Sequence, residues 1–562
     1  MSNIYHHRPW LKYYSPWLPP DLEIPQENLV QVLKRAASFG ASRPAIYYFG
    51  RSISYGELDR WSDSLAGALQ DLGLQNGDRV IFLMQNLPQF VIAQYAVWKV
   101  GGIVVPLNPM YKEKELDYYF QDSGARAIIA LSSAYEMSAR NIVRERKIKV
   151  VITTSGLEFL SPGESVPRVL QEEKDLRFPE ALDFMELLRK YEGKAPDPAE
   201  LSNQQAAYFT YTSGTTGPPK AALNTHRNIA FNAKFYTSFL RLAPPDVIFG
   251  VAPLFHVTGQ VAHMAAAAYA GIPLILSFRF DPEEALKLIE RWKATMTLGA
   301  TTVYISLMNH PNFRKEAFSS MTKVYTGGAP VPPAVVESFE KSCGAYIHNA
   351  YGLTETNSPS HFTPWGLRAP IDPETGALSV GIPVCNSLSK IMDLETGKEE
   401  LPPGEVGEIV VQGPMVVPGY WNKPEESAHA IRDGWLYTGD VGKMDEQGWF
   451  YVVDRKKDLI NVSGFKVWPR EVEDVLYEHP AVREVAVIGV PDPYRGETVK
   501  AFVALKEEFK DQVTPAELIE FCKTRMAAYK YPRVVEITPE IPKTTTGKFL
   551  RRVLRDKERD KT

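Results

Sequence analysis

The stretch Tyr211-Thr212-Ser213-Gly214-Thr215-Thr216-Gly217-Pro218-Pro219-Lys220 decides how the rest of the chain is read. Hydroxyl side chains and glycines alternate along it. Backbone without Cβ atoms lets N–H groups approach an anion closely, and the Ser and Thr oxygens add side-chain contacts. Lys220 places a cation at the end of the string. The spacing is not the GxxxxGK[ST] phosphate loop. A flexible turn needs the same composition, but the order of the whole string is far more specific than its composition.

Outward from this loop, the first half alternates apolar strand-like runs with helical patterns. Ser54 and Glu57 form a capping box that opens a helix. Arg79 to Met84 then reads as a buried strand. Val91 to Val100 reads as a helix ended by Gly101-Gly102, and Ile103 to Pro106 as the next strand. Ala127 to Ala130 and Val150 to Thr153 continue the series. Such alternation predicts parallel sheets covered on both faces. From about Ser387 the texture changes to short strands punctuated by Gly and Pro, such as Gly407 to Gly413, which suits a barrel-like antiparallel piece. Asp454-Arg455-Lys456-Lys457-Asp458 is a charged link between two apolar strands and marks a domain boundary. Beyond it, Pro469 to Glu478 reads as a helix, and Val485 to Val490 and Val499 to Leu505 as strands. Thr514 and Glu517 cap a helix running to about Met526.

Composition excludes other classes. Apolar residues make up 44% and charged residues 23% of 562 residues, an ordinary globular balance. With 63 basic and 67 acidic side chains the formal charge is -4, so there is no global field for nucleic acid. Cys343, Cys385 and Cys522 are too sparse for a disulfide framework, and a reducing cytoplasm is the expected location. The N-terminus lacks the apolar core of a signal peptide. Val261 to Phe278 is the most membrane-like run. It reads as a buried helix stopped by Gly271 and then a short strand, Leu274 to Leu276, so no transmembrane segment is expected.

The sequence resembles the adenylate-forming superfamily of acyl-CoA synthetases, luciferases and peptide-synthetase adenylation domains. Its loop matches their phosphate loop, and further motifs follow in the family's order. Gly327-Gly328-Ala329-Pro330 is similar to the adenine-side loop, and Tyr351-Gly352-Leu353-Thr354-Glu355 to the signature after it. Tyr437-Thr438-Gly439-Asp440 resembles the ribose-binding motif, and residues 454–458 resemble the hinge. Val462-Ser463-Gly464-Phe465-Lys466 resembles the first loop of the mobile domain. Pro542-Lys543-Thr544-Thr545-Thr546-Gly547-Lys548 resembles the segment with the terminal catalytic lysine. Ala221 departs from the glycine usual after the loop lysine. The implied fold is α/β: two α/β subdomains plus a small β-barrel form the adenylation domain, residues 1–454. A hinge at 455–457 leads to a mobile α+β domain, 458–562.

The resemblance implies a reaction of a carboxylic acid with ATP, Mg²⁺ and coenzyme A, through an acyl adenylate. Carboxylate and α-phosphate repel, so positive charge must be stronger in the transition state. Lys548, set in a basic tail with Lys543, Arg551, Arg552 and Arg555, is the implied bridge between them. Glu355, beside Thr354, would hold Mg²⁺ with help from Thr212 or Thr215. Thr212 to Gly217 and Lys220 would cradle phosphate. Gly328, Ala329, Pro330, Asn349, Ala350, Tyr351, Gly352 and Leu353 would surround the base. Asp440, with Val452 and Arg455, would take the ribose. In the second step CoA thiolate attacks, after a rotation that brings Gly464 into the site about the pivot Lys457.

Pro253-Leu254-Phe255-His256 resembles the gate between acyl pocket and CoA tunnel, with Val257 to Met264 and Ala300 to Tyr304 as pocket walls. Acetate-using relatives carry a Trp after the tyrosine, so Gly352 implies an open pocket. The leader Arg8 to Tyr14, with Pro20 and Glu23 to Pro25, and Asn461 to Pro469 resemble bacterial fatty-acid–CoA ligases. Medium- to long-chain fatty acids are therefore expected, with aryl and dicarboxylic acids, or a carrier protein as acceptor, as alternatives. Family members are often homodimers.

Overall fold

A computed structural model describes residues 4–212, 218–329, 331–455, 458–462, 465–543 and 549–559. Among them the strands form four sheets. The first carries the alternating half of the sequence. Leu182–Asp183, Val150–Thr154, Ala127–Leu131, Arg79–Leu83, Ile103–Leu107 and Ala206–Thr212 run parallel, and Lys220–Thr225 closes the edge antiparallel. The inner strands are continuous Val/Ile runs because helices cover both faces. Ala127–Leu131 is buried at every residue. The expected capping box is present: Ser54 accepts from the Glu57 N–H and Glu57 reaches back. Helix Pro88–Lys99 is buried throughout, including Lys99, whose Nζ is paired with Asp59 and Asp63 at 2.6 and 2.7 Å.

The second sheet has nine strands and draws on distant parts of the chain. Its parallel centre is His348–Leu353, Lys323–Gly327, Met296–Gly299, Ile248–Phe249, Leu274–Leu276 and Pro44–Tyr48. Ser358–Phe362 and Ile382–Pro383 extend one edge antiparallel, and Arg51–Ser54 closes the other. The barrel-like piece is an antiparallel five-stranded sheet. Leu388–Met392, Gly407–Gln412, Trp435–Met444 and Ile431–Arg432 follow in order, and Phe450–Arg455 also pairs with Trp435–Met444.

Beyond residues 456 and 457 lies the fourth sheet. It joins Phe465–Val467, Ile460–Val462, Gly496–Leu505 and Val482–Asp492 antiparallel, with Val534–Ile537 parallel to Gly496–Leu505. Thr514 caps helix Pro515–Lys523, which stops three residues before the expected Met526. One apolar core runs from Tyr5 to Val452, and a separate one lies between Ile460 and Val535. Between them Trp468 packs with Val441 and Val453.

The leader is part of the first core. Trp10 is fully buried, edge-on to Phe450, under Gly448. Gly448 has φ +93°, and a Cβ there would come within 2.8 Å of the Trp10 nitrogen. The run around Val261 is a buried helix ending at Gly271 (φ +64°), followed by Leu274–Leu276, as expected. No helix among the described residues is long and apolar enough to cross a membrane.

Candidate active site

The ends of the phosphate-loop string meet across the antiparallel edge of the first sheet, where Thr212 pairs with Lys220. Ser213, Gly214, Thr215, Thr216 and Gly217 lie outside the described residues. The ends themselves are anchored. Tyr211 donates to Asp122 Oδ2 at 2.7 Å, and Tyr118 donates to the Pro219 carbonyl at 2.7 Å. Burial, then Asp122, raises the Tyr211 phenol well above its ordinary value, so it stays a donor. Ala221 is fully buried and accepts from the Trp421 N–H, a packing for which alanine is small enough.

Lys220 Nζ stands 5.4 Å over the ring of Tyr420, whose hydroxyl donates to Glu355 Oε1 at 2.7 Å. Glu355 sits in a tight turn, Thr354–Thr356, held from three sides. Asn224 donates to the Thr354 carbonyl at 2.9 Å, the Val417 N–H to the Glu355 carbonyl, and Asn232 to the Thr356 carbonyl. Burial first, then the charge of Glu355, keeps the Tyr420 phenol protonated.

The nucleoside side is built by strand pairing. Gly328, with φ +85°, turns the chain after Lys323–Gly327, followed by Ala329; Pro330 is outside the described residues. Asn349 and Ala350 are buried on the neighbouring strand, with Asn349 donating to the Ser379 carbonyl at 3.1 Å. Tyr351 donates to Asp440 Oδ2 at 2.7 Å, which fixes one carboxylate oxygen of a residue only 4% exposed. Asp440 lies opposite Arg455, and Val452 opposite Gly442. Gly352 carries a finding that its sequence reading lacks. A Cβ there would lie 1.6 Å from the Ser358 carbonyl, at a bulge between the two strands. Glycine is required by backbone approach, so a larger residue would have to displace Ser358–Phe362 as well as fill a pocket. Leu353, half-buried, donates its N–H to Thr356 Oγ1.

On the acyl side, His256 is half-buried and its Nδ1 accepts from the Thr258 N–H at 3.3 Å. Gly259 follows because a Cβ there would meet the Pro253 carbonyl at 2.2 Å. Gly259–Ala265 is a π-helical turn, a form that recurs at functional sites. Thr210 ties it to the strand entering the phosphate loop, donating to Gln260 Oε1 at 3.0 Å. Burial pushes His263 down to about 4, so its ring is neutral. Tyr304, placed on the pocket wall by its sequence neighbourhood, is instead a core residue: it is fully buried and its hydroxyl donates to the Tyr325 carbonyl.

Residues 33–421 match the family model described as AMP-binding enzyme, and residues 471–548 match the one described as AMP-binding enzyme C-terminal domain. The chain belongs to the AMP-binding enzyme family. It is 38% identical over 564 residues to a long-chain-fatty-acid–CoA ligase of Bacillus subtilis, covering 98% of both chains. A feruloyl-CoA synthase of Amycolatopsis is 34% identical, covering 92% of this chain and 96% of its own. Among solved structures, ATP-bound MatB from Rhodopseudomonas palustris superposes with a TM-score of 0.81 at 28% identity, over 95% of this chain and 99% of its own. An anthranilate CoA ligase with anthranoyl-AMP gives 0.84 at 25% identity, over 96% and 98%.

In this AMP-binding enzyme Lys457, Gly464 and Lys548 lie outside the described residues. Their surroundings do not. Arg551, three residues after Lys548, is paired with Glu473 at 2.7 Å and approaches Asp458 and Asp454 at 3.5 and 3.6 Å. Arg555 is paired with Asp458 at 2.7 Å, and Lys543 with Glu484. The Arg470 N–H donates to Asp454 Oδ2 and its Nη1 to the Val452 carbonyl at 2.7 Å. Most of the basic tail is thus engaged with acids rather than free in solvent. Sequence reasoning passed over Tyr420, Asn86 and Arg470, whose partners are far away in the chain. Asn86 donates to the Gly250 and Ala252 carbonyls and accepts from the Leu254 N–H, fixing the segment that ends in His256.

Proposed function

We propose that this enzyme activates a medium- to long-chain fatty acid with ATP and passes the acyl group to coenzyme A. A carboxylate oxygen attacks the α-phosphorus, the bond to the β-phosphate breaks and pyrophosphate leaves. The CoA thiolate then attacks the acyl carbonyl and AMP leaves. The observation that carries the adenylation reading is the pair of anchored carboxylates. Asp440 is held by Tyr351 opposite Arg455, and Glu355 is held by Tyr420 next to the phosphate-loop lysine. Asp440 accepts the ribose hydroxyls, and Lys220 faces phosphate. Lys548 bridges acid and α-phosphate, while Gly464 and Lys457 serve the thioester step and His256 the passage between acid and thiol.

Magnesium takes oxygen ligands and is commonly held by one or two carboxylates together with phosphate and water. Glu355 and the hydroxyl of Thr212 supply such oxygens, and Thr215 belongs to the same loop, so the residues fit the ion. Among the described residues there is no group of three or more His, Cys, Asp or Glu side chains that could hold a metal ion. When bound it would neutralise phosphate charge.

Full-length similarity to long-chain-fatty-acid ligases supports the acid class. Similarity to feruloyl and anthranilate ligases supports aryl acids as a second reading. ATP–pyrophosphate exchange across acids from acetate to oleate, with benzoate, cinnamate and an α,ω-diacid, decides between them. Exchange is expected to peak among fatty acids, with thioester and AMP only after CoA is added. A peak among aryl acids would overturn the fatty-acid assignment, and exchange without thioester would replace CoA by another acceptor.

A further inference from the structure

We propose that Tyr420 is a positioning residue for the metal-bound nucleotide, holding Glu355 through its hydroxyl and the phosphate-loop lysine through its ring. The hydroxyl donates to Glu355 Oε1 at 2.7 Å, and Lys220 Nζ lies 5.4 Å from the ring centroid, within cation–π range. No other aromatic ring among the described residues is recorded against both groups. The inference rests on the magnesium role proposed for Glu355.

Tyr420 is itself rigidly placed. It bridges to Ala222, while the Leu223 N–H donates to the Gly419 carbonyl and the Trp421 N–H to the Ala221 carbonyl. These bonds add residues 419–421 to the edge strand that begins with Lys220. The Tyr420 N–H donates to Ser427 Oγ at 2.8 Å. Trp421 packs 4.8 Å from Phe209 and donates to the Asp122 carbonyl, the residue whose carboxylate anchors Tyr211. One short segment therefore fixes both ends of the phosphate loop and the carboxylate facing it. A phenol that occupies one oxygen of Glu355 leaves the other to face a cation and stops the side chain from swinging. That is the work of an outer partner of a metal ligand, and removing such a partner typically costs 10–100-fold in metal affinity.

The test is Mn²⁺ binding, followed by electron paramagnetic resonance, to the full-length enzyme with a non-hydrolysable ATP analogue. Y420F keeps the ring and removes only the donor. It is expected to weaken Mn²⁺ roughly tenfold, and to raise the Mg²⁺ needed for half-maximal pyrophosphate exchange by a similar factor. The KM for the acid and thioester formation from preformed acyl adenylate should stay within about twofold. In an E355Q background the Y420F effect on Mn²⁺ should vanish, because partners acting through one group are non-additive. Unchanged Mn²⁺ affinity in Y420F beside a clear loss in E355Q would overturn the inference while keeping the role of Glu355. Unchanged affinity in E355Q would instead remove that role. Equal loss of both half-reactions in Y420F, with the same metal dependence, would make Tyr420 a structural residue and overturn the inference too.

Discussion

Two buried carboxylates at neighbouring positions of one antiparallel strand pair, Asp440 and Asp454, mark two corners of the structure that are held by different side-chain partners. Asp440 has a phenol on one oxygen and lies between antiparallel strands of one core. Asp454 has the Arg470 N–H and the Arg551 guanidinium, both from the other side of residues 456 and 457. Around Asp454 the arginines 470, 551 and 555 face Asp458, Glu473 and Asp474. Both residues lie on that strand pair, so what differs is the side-chain partner: a neutral phenol for Asp440 and charged groups for Asp454. Ion pairs can change partners when water or another charge takes over, because their net worth is the small difference between attraction and desolvation. The lesson is that the fixed corner is the one proposed to read the nucleotide. The exchangeable one lies where the proposed reaction needs two arrangements.

The largest effects should separate the two proposed half-reactions on the C-terminal side of residues 456 and 457. Lys548→Ala is expected to lower pyrophosphate exchange by about 10²–10³-fold, the scale for removing a charge-stabilising donor. Thioester formation from synthetic acyl adenylate should change little. Equal loss of both steps would refute a role confined to adenylation. Gly464→Leu should do the reverse, since a side chain would obstruct the approach of the pantetheine arm that the proposed thioester step requires. Single-turnover assays of each step read the contrast, which collapses if Gly464→Leu slows exchange more than thioester formation.

Next in size is the contrast in stability between the corners. Arg551→Leu removes the 2.7 Å counter-charge of Glu473 and weakens the charge balance at Asp454 and Asp458, the latter keeping Arg555, and should cost about 3–5 kcal/mol. Tyr351→Phe removes one hydrogen bond to a carboxylate, which costs about 1.5–3 kcal/mol, and raises the KM for ATP. Denaturant unfolding of the separate transitions gives both numbers. If Arg551→Leu proves the milder change, the charged corner is already satisfied by solvent and the comparison fails.

What was legible in the sequence was local. Ser54 and Glu57 announced their capping box, and the Val/Ile runs at Arg79, Ile103, Ala127 and Val150 announced a parallel sheet. The identity of Asp440 and Glu355 came from resemblance. Their supports did not, because Tyr351 meets Asp440 and Tyr420 meets Glu355 across separations that no spacing rule covers. The apolar run from Val261 reads only as a buried helix; that Gly259–Ala265, where it begins, is π-helical is decided by packing and not by apolar content. Gly352 shows a second constraint that residue type alone does not reveal. The residue type suggests an open pocket, and the Ser358 carbonyl adds a backbone reason for glycine at the same position.

The smallest effect is one of pH, and it sits in the charged corner. Asp474 is paired with Arg470 at 3.4 Å but is half-buried beside Glu473, Asp454 and Tyr477. Desolvation outweighs the arginine and pushes the carboxyl up from 3.8 to about 7. Below about pH 4 the group is protonated in both folded and unfolded chains, and contributes nothing to pH dependence. Between about pH 4 and 7 the unfolded chain releases the proton and the folded one keeps it, so stability falls as pH rises. Above about 7 both are ionised and the loss stays constant. The slope cannot exceed about 1.4 kcal/mol per pH unit. Asp474→Asn should therefore remove this fall, so that variant and wild-type stabilities diverge from pH 4 to 7 and run parallel above. Parallel curves across the whole range would mean that Arg470 and its neighbours already hold the carboxylate ionised. The charged corner would then be as fixed as the hydrogen bond that holds Asp440.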